Sequence, residues 1–304
     1  MAASVGRRAL LIGAAVAACS RSERASGGPP PPPMASLNVR LLEWDLGMQP
    51  WGPARAVVVV PTWGGNNTLF PVLVALHGRG ESLKPALEGA YGWPRDYAMV
   101  RAIDRLRAPP LREADYEGFV DPDRLADTNA SLAARPFRGL VVVCPWLPDV
   151  HPAATADLAA YTHFVLDVLL PRVRRDTPAL QGAESTGIDG VSLGGITALR
   201  IGLTCPEAFG AVGGIQPAIS DGRQNAEWIS LAQAARAVRP AMNLRLLTSH
   251  DDYFREPIIG LSAAWRAAGV SHDFVEVPGP HDYVFNRGPG SIELLLWHDR
   301  GLVH

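Results

Sequence analysis

Beyond residue 36 the chain alternates between short apolar runs and longer segments whose apolar positions recur at helical spacing. The apolar runs are rich in Val, Ile and Leu and end at Gly, Pro or polar clusters, which is typical of buried strands. Strands that alternate with helices predict an α/β fold, with a mostly parallel eight-stranded sheet and helices on both faces. The predicted strands are residues 37–46, 55–60, 70–77, 140–144, 186–191, 211–215, 244–248 and 273–277. The predicted helices are residues 157–173, 193–203, 224–238, 257–268 and 291–300.

The N-terminal region does not follow this pattern. Arg7 and Arg8 precede an apolar run that is too short to span a bilayer core of about 30 Å, so residues 1–18 are predicted to be a signal peptide. The run ends in Val-Ala-Ala-Cys, which resembles a bacterial lipobox and implies that Cys19 carries a lipid anchor. Residues 19–35 are rich in Ser, Gly and Pro and are predicted to form an extended tether.

These features predict export to the bacterial cell envelope, with the protein either lipid-anchored or released to the periplasm or the exterior. A plain secretory signal is the alternative to the lipid anchor, and both general and twin-arginine export fit the basic start of the chain. If the anchor is present, the acyl chains are expected to be the only contact with the membrane.

The remainder, residues 36–304, is predicted to be one catalytic domain. Residues 82–139 interrupt its rhythm, because they connect two predicted strands over far more residues than a usual connection has. This segment is rich in aromatic and charged residues. It is interpreted either as a lid or pocket wall or as a packed excursion on the surface.

Composition narrows the function classes. The chain has 304 residues, 47% hydrophobic, and a formal net charge of −2, which argues against both bulk disorder and nucleic acid as a main partner. No metal-binding pattern stands out: Asp121, Asp123 and Asp127 lack the glycine and terminal glutamate of a calcium loop. Cys144 and Cys205 are predicted to lie about 15 Å apart across a helix, too far for a disulfide.

The most informative segment reads Gly190-Val-Ser192-Leu-Gly194, between a predicted strand and a predicted helix. A Gly-x-Ser-x-Gly sequence at such a junction is the pattern of a nucleophile turn, in which the glycines permit close backbone contacts. The helix that follows directs its free N–H groups and positive end toward the serine. Ser192 is therefore the predicted nucleophile.

A serine hydroxyl needs a general base to become a useful nucleophile. His281 follows the last predicted strand, and Asp251 and Asp252 follow the strand before it, so these loops supply a base and its orienting acid. Asp252 is the favoured acid because an aromatic residue comes directly after it, and Asp251 stays as the alternative. Other histidines are less suited by position: His250, His272 and His298.

Acyl transfer also needs hydrogen-bond donors for the negative charge that develops on the carbonyl oxygen. The amide of Leu193, directly after the nucleophile, is one candidate. The loop His77-Gly-Arg-Gly is expected to supply the second, from Arg79 or alternatively from Gly78, with His77 bracing the loop. Three further residues are predicted to line the substrate pocket: Trp146, Gln216 and Tyr253.

The chain resembles the esterase D and antigen 85-like branch of the α/β-hydrolases, which includes feruloyl and acetyl-xylan esterases. The resemblance rests on five motifs: Leu76-His-Gly78, Leu169-Leu-Pro171, Gly190-Val-Ser-Leu-Gly-Gly195, Cys205-Pro-Glu-Ala-Phe-Gly210 and Gly279-Pro-His281. It implies the α/β-hydrolase fold, a Ser192–His281–Asp252 triad and hydrolysis of carboxylic esters without a cofactor. A small-molecule or polysaccharide-linked ester is the implied substrate. Leu193 stands where that family commonly has Met, a neutral change because the backbone is the donor.

Alternative functions exist on the same fold. A catalytically silent protein could use it for surface binding, and acyltransferases and peptidases share the triad. The intact set of Ser192, Asp252 and His281 favours an enzyme, and peptidase relatives usually carry a gating domain for which 304 residues leave no room. The sequence therefore predicts a serine esterase.

Overall fold

The computed structural model describes residues 34–65, 67–149 and 155–304. The predicted signal peptide, Cys19 and nearly all of the tether lie outside the described residues. The described chain forms one eight-stranded sheet. Its strands are β1 (Val39–Gln49), β2 (Gly52–Pro61), β3 (Val72–Leu76), β4 (Val141–Pro145), β5 (Thr186–Gly190), β6 (Ala211–Ile215), β7 (Asn243–Asp251) and β8 (Asp273–Pro280).

The strand order across the sheet is β1-β2-β4-β3-β5-β6-β7-β8. β2 pairs antiparallel with both β1 and β4, and every pairing from β4 across to β8 is parallel. The predicted mostly parallel sheet is thus confirmed, and each of the eight predicted strands overlaps an observed one. β7 and β8 run about three residues further than predicted, so the residues that follow their apolar cores are still hydrogen-bonded in the sheet.

Helices cover both faces of this sheet. Their bounds are α1 (Arg79–Ser82), α2 (Ala86–Ala90), α3 (Met99–Arg107), α4 (Pro122–Ala134), α5 (Thr155–His163), α6 (Leu170–Asp176), α7 (Leu193–Thr204), α8 (Asn225–Val238), α9 (Arg255–Ala267), α10 (Tyr283–Phe285) and α11 (Ser291–Gly301). A π-helical stretch, Phe164–Leu169, joins α5 to α6, so the single predicted helix there is continuous. No helix in the described part of the chain is both long and apolar enough to cross a membrane.

Side chains on neighbouring positions of one strand enter opposite core layers, which is why the strands are apolar throughout. Val58 of β2 belongs to the layer under α5 to α9, whereas Val59 belongs to the layer under α3 and α11. Both valines have no exposed surface. A strand buried on two faces has no reason to alternate polar and apolar residues, as the sequence pattern indicated.

The 82–139 segment is part of this architecture. α3 lies within it and buries Met99, Ile103 and Leu106 against the same layer as Leu73 of β3 and Val142 of β4. Because β3 and β4 are parallel neighbours, a crossover segment between them is obligatory. α3 was not among the predicted helices, and its packing makes this part of the segment core rather than surface. The interpretation of the segment as a lid or pocket wall stays a prediction.

A buried ion pair links the central strands behind the nucleophile turn. Arg245 of β7 and Asp189 of β5 are both fully buried, and their charged groups are 2.8 Å apart. Asp189 Oδ1 also accepts the Gly190 N–H at 2.7 Å, and Arg245 Nη1 donates to the Glu293 carbonyl at 2.8 Å. His298 is buried beside this pair, and burial lowers the pKa of its imidazole.

We expect Arg245→Ala to lower the free energy of unfolding by about 3–5 kcal/mol, because the Asp189 carboxylate would stay buried without its counter-charge. Urea unfolding followed by circular dichroism measures this change. The matched control is Arg223→Ala, which removes an exposed partner of Asp221 and should change stability little. Equal effects of the two substitutions would contradict the expectation.

Candidate active site

Ser192 lies in a tight turn between β5 and α7. Its backbone has φ +57° and ψ −116°, a conformation that non-glycine residues rarely adopt. The Ser192 N–H donates to the Ile215 carbonyl at 3.0 Å, and the Ser192 carbonyl accepts the Ala218 N–H at 3.0 Å. These bonds to β6 and the loop after it hold the strained turn in place.

The glycines of the motif are required by backbone contacts. A Cβ on Gly194 would lie 2.3 Å from the Leu76 carbonyl oxygen and 2.5 Å from that of His77. A Cβ on Gly190 would lie 2.6 Å from the Leu76 oxygen and from the Gly194 backbone. The end of β3 therefore touches the start of α7 directly, which brings the His77 loop beside Ser192.

The predicted acid, Asp252, and the predicted base, His281, are hydrogen-bonded to each other. His281 Nδ1 and Asp252 Oδ1 are 2.8 Å apart, and both side chains are buried. The Asp252 carboxylate also accepts the Thr248 hydroxyl at 2.8 Å and the Phe254 N–H at 2.9 Å. Asp251 is exposed to solvent, so Asp252 is the aspartate that contacts the imidazole.

Two aromatic rings hold the His281 imidazole. The Tyr253 ring stacks on it at 4.2 Å between centroids with a 34° tilt, and the Phe254 ring meets it edge-on at 5.5 Å. Tyr253 was predicted to line the substrate pocket. Its ring lies against the His281 imidazole, and 42% of the residue is exposed to solvent.

A cavity beside the nucleophile brings these groups together. It is lined by Ser192 and His281 and by Gly78, Glu81, Tyr97 and Tyr283. Within the described residues the Ser192 hydroxyl makes no hydrogen bond, and the serine is 3% exposed. Hydrogen bonds between a nucleophile and its base are often formed only once substrate is bound.

The loop after β3 is held by hydrogen bonds on both sides. The Leu147 N–H donates to His77 Nε2 at 2.9 Å, so the proton of the neutral imidazole is on Nδ1, which lies 2.9 Å from the Gly78 carbonyl. Burial lowers the pKa of His77, which keeps this ring neutral. His77 thus has the bracing position that the sequence suggested.

The two predicted amide donors begin helices. Leu193 is the first residue of α7 and Arg79 the first of α1, positions at which the N–H has no acceptor within its own helix. The alternative donor, the Gly78 N–H, is engaged by the Tyr97 hydroxyl at 3.1 Å. The Arg79 guanidinium forms a bidentate ion pair with Asp149, with both bonds at 2.9 Å.

Two predicted pocket residues are in supporting positions. Gln216 is fully buried, and its amide nitrogen donates to Ser249 Oγ at 2.6 Å and to the Pro280 carbonyl at 3.0 Å. It connects the ends of β6, β7 and β8 beneath the acid and base loops. Trp146 is half-buried and donates its indole N–H to the Glu81 carbonyl at 3.3 Å. Neither is among the residues that line the cavity. Both side chains instead donate hydrogen bonds to neighbouring segments of the chain.

Sequence reasoning missed the polar wall of the cavity. Glu81 is 1% exposed and accepts hydrogen bonds from the hydroxyls of Tyr97 and Tyr283. Burial, followed by the Glu81 charge, raises the pKa of Tyr97 well above its usual value. Burial alone would lower the pKa of Lys84, but the carboxylates of Glu81 and Asp96 raise it. A weak signal was present, because Glu81 comes just after the His77-Gly-Arg motif.

Metal ions and thiols are two further possible sources of chemistry. The described residues contain no group of three or more His, Cys, Asp or Glu side chains able to hold a metal ion. Cys144 is buried in β4, Cys205 is half-buried after the end of α7, and both are free thiols. Burial raises the pKa of both, which disfavours the reactive thiolate.

Comparison with known proteins bears on the fold and on the family that the chain resembles. Residues 149–283 match a protein-family model described as "Putative esterase". A ferulic acid esterase structure superposes with a TM-score of 0.65 at 16% identity, covering 87% of this chain and 99% of the other. The chain has the α/β-hydrolase fold. The resemblance to esterases that the motifs indicated is confirmed.

Other α/β-hydrolase structures superpose over most of their length. S-formylglutathione hydrolase from Staphylococcus aureus has a TM-score of 0.59 at 14% identity, covering 86% of this chain and 99% of its own. A ferulic acid esterase from the anaerobic fungus Anaeromyces mucronatus has a TM-score of 0.54 at 17% identity, covering 88% and 91%. No curated protein matches the chain by sequence. At these identities the structural likenesses establish the α/β-hydrolase fold and leave activity to be argued from the site.

We expect Gly194→Ala to lower the free energy of unfolding by about 1–3 kcal/mol, because its Cβ would meet two backbone carbonyls that cannot move aside cheaply. Gly260→Ala in α9 is the matched control. Its Cβ has open space, so this substitution should raise stability by about 0.5–1 kcal/mol. Chemical denaturation of both variants measures the difference, and a Gly194 variant as stable as the wild type would contradict the contact argument.

Proposed function

We propose that this protein is a serine-dependent carboxylic ester hydrolase that acts through an acyl-enzyme on Ser192. The observation that carries the proposal is the 2.8 Å hydrogen bond between Asp252 and His281, because His281 and Ser192 line the same cavity. The match of residues 149–283 to an esterase family model and the esterase structural neighbours support hydrolysis of esters.

In the proposed mechanism Ser192 Oγ attacks the ester carbonyl while His281 Nε2 takes its proton. Asp252 holds the imidazole through Nδ1 and stabilises the imidazolium that forms. The negative oxygen of the tetrahedral intermediate accepts hydrogen bonds from the backbone N–H groups of Leu193 and Arg79. His281 then gives its proton to the leaving alcohol, and water releases the acid from Ser192 by the same steps.

The geometry of the His77 loop supports Arg79 over Gly78 as the second amide donor. The Gly78 carbonyl faces His77, and in a trans peptide the following N–H points the opposite way. The Gly78 N–H is already engaged by Tyr97. The contact with His77 therefore fixes the direction of the Arg79 N–H, which belongs to the same peptide unit as the Gly78 carbonyl. This favours Arg79 as the second donor.

The proposed substrate class is an ester of a small organic acid, free or attached to a polysaccharide. The Anaeromyces mucronatus esterase has been solved in complex with ferulic acid, and a feruloyl esterase module from Clostridium thermocellum in complex with sinapinate. Those ligands belong to the neighbours. They support aromatic acid esters as the first compounds to test on this chain.

The experiment is a panel of esters that varies the acyl group and the alcohol, assayed with the wild type and with Ser192→Ala. We expect hydrolysis by the wild type and a loss of about 10⁴-fold or more in kcat/KM in the variant. A fluorophosphonate probe should label the wild type and spare Ser192→Ala. If no ester is cleaved above the variant background and Ser192 is not labelled, the esterase proposal fails and a binding role is favoured.

The two neighbouring aspartates provide a matched pair of variants. Asp252→Asn should lower kcat by about 10³–10⁴-fold, because the amide would favour the wrong imidazole tautomer. Asp251→Asn has the same chemistry at an exposed position and should leave kcat within about twofold of the wild type. Steady-state kinetics on the best ester of the panel separates them, and equal losses would contradict the assignment of Asp252.

A further inference from the structure

Glu81 is a buried carboxylate that the proposed mechanism does not use. It lies in the first turn after the His77 loop, is 1% exposed and lines the cavity beside Ser192. A carboxylate taken out of water is stable only with hydrogen bonds or a counter-charge. The partners of Glu81 come from parts of the chain that are far apart in sequence.

Both carboxylate oxygens of Glu81 are engaged. Oε2 accepts the hydroxyl of Tyr97, while Oε1 accepts the hydroxyl of Tyr283 at 2.6 Å and lies 3.3 Å from Lys84 Nζ. Lys84 also contacts Asp96 at 2.9 Å, which places a second carboxylate on the same ammonium group. We call Glu81, Tyr97, Tyr283 and Lys84 the Glu81 cluster.

One arm of the Glu81 cluster reaches the proposed oxyanion loop. The Tyr97 hydroxyl donates to Glu81 and accepts the Gly78 N–H at 3.1 Å. A hydroxyl that donates to an anion becomes a better acceptor, so the two bonds strengthen each other. Gly78 directly precedes Arg79, and this arm therefore fixes the loop that carries the proposed amide donor.

The other arm reaches the loop of the general base. Tyr283 is two residues after His281 and begins α10, whose N-cap residue Asp282 accepts the Phe285 N–H at 2.9 Å. The Tyr283 hydroxyl then ties this turn to Glu81, 202 residues away in sequence. The base loop and the oxyanion loop thus meet at one carboxylate.

The surroundings leave the Glu81 cluster little freedom to move. A Cβ at Gly92 would lie 2.8 Å from Glu81 Cγ and 3.0 Å from His77 Cβ, so glycine makes the space that Glu81 occupies. The Tyr97 ring packs edge-on against Trp93 at 5.0 Å. The Tyr97 carbonyl accepts the Ser291 hydroxyl at 2.7 Å, which anchors the tyrosine to α11.

We propose that Glu81 is a positioning residue that holds the oxyanion loop and the His281 loop at a fixed separation across Ser192. The inference rests on the proposed function, because it concerns the same site. Errors of about 1 Å in the placement of reacting groups cost large factors in rate. Because one rigid acceptor joins the two loops, we expect Glu81 to raise kcat and to have little effect on substrate binding. The Glu81 cluster acts through Gly78 and His281 and need not touch the substrate.

The experiment compares three variants, Tyr97→Phe, Tyr283→Phe and Glu81→Gln, on the best ester of the panel, with rates normalised to the Ser192 sites titrated by a fluorophosphonate. We expect kcat per site to fall about tenfold or more in each while KM changes less than about threefold, because a removed oxyanion donor alone costs about 10²–10³-fold. The Tyr97→Phe/Tyr283→Phe double variant should lose less than the product of the single effects, because both hydroxyls act through Glu81.

Tyr91→Phe is the matched control, because the Tyr91 hydroxyl also donates to a carboxylate, that of Glu43, outside the cavity. Its kcat should equal that of the wild type. Unchanged kcat per site in Tyr97→Phe and Tyr283→Phe would overturn the inference while leaving the esterase intact. A rise in KM alone would also overturn it, since it would indicate a substrate contact. A wild type that neither hydrolyses esters nor reacts with the probe overturns the proposed function itself, and the positioning role with it.

Discussion

The direct contact between the end of β3 and the first turn of α7 is the constraint on which the site depends. A Cβ on Gly194 would lie 2.3 and 2.5 Å from the Leu76 and His77 carbonyl oxygens, so the two backbones meet without side chains between them. This contact brings the His77 loop, which carries the proposed amide donor, beside Ser192. It also accounts for the strained φ of Ser192, because the chain must reverse within one residue to enter the helix.

Around that contact the site is stabilised mostly by neutral and charge-assisted hydrogen bonds from distant segments. The His77 ring is hydrogen-bonded to the Gly78 carbonyl, and the Tyr97 hydroxyl accepts the Gly78 N–H. His281 is held by Asp252 and by two aromatic rings. In the proposed mechanism such preorganisation matters, because donors that already point at the developing charge need no reorganisation during the reaction. The Asp189–Arg245 ion pair gives the strand behind Ser192 a similarly rigid base.

Many features were predictable because they are local in sequence. Eight apolar runs became eight strands, and the glycines beside Ser192 and the helix after it follow from one short motif. Asp252 and His281 could be selected because loops after parallel strands gather at one edge of the sheet. The α3 helix was missed because its many arginines mask its apolar face. The hydrogen bonds of Gln216 and Trp146 to neighbouring loops were not predictable, because position at a sheet edge does not reveal which neighbour a side chain will contact.

By itself the sequence determined the fold class, the nucleophile turn and the order of the candidate triad. These features depend on strand periodicity and glycine spacing, which are patterns of neighbouring residues. The signal peptide and the Cys19 anchor stay predictions from the sequence. Only the tertiary structure decided that Asp252 and not Asp251 faces His281, that Gly78 is engaged by Tyr97, and that Glu81 joins the two loops. Those choices depend on side chains up to 202 residues apart, whose contacts exist only once β3 and β8 have joined the same sheet.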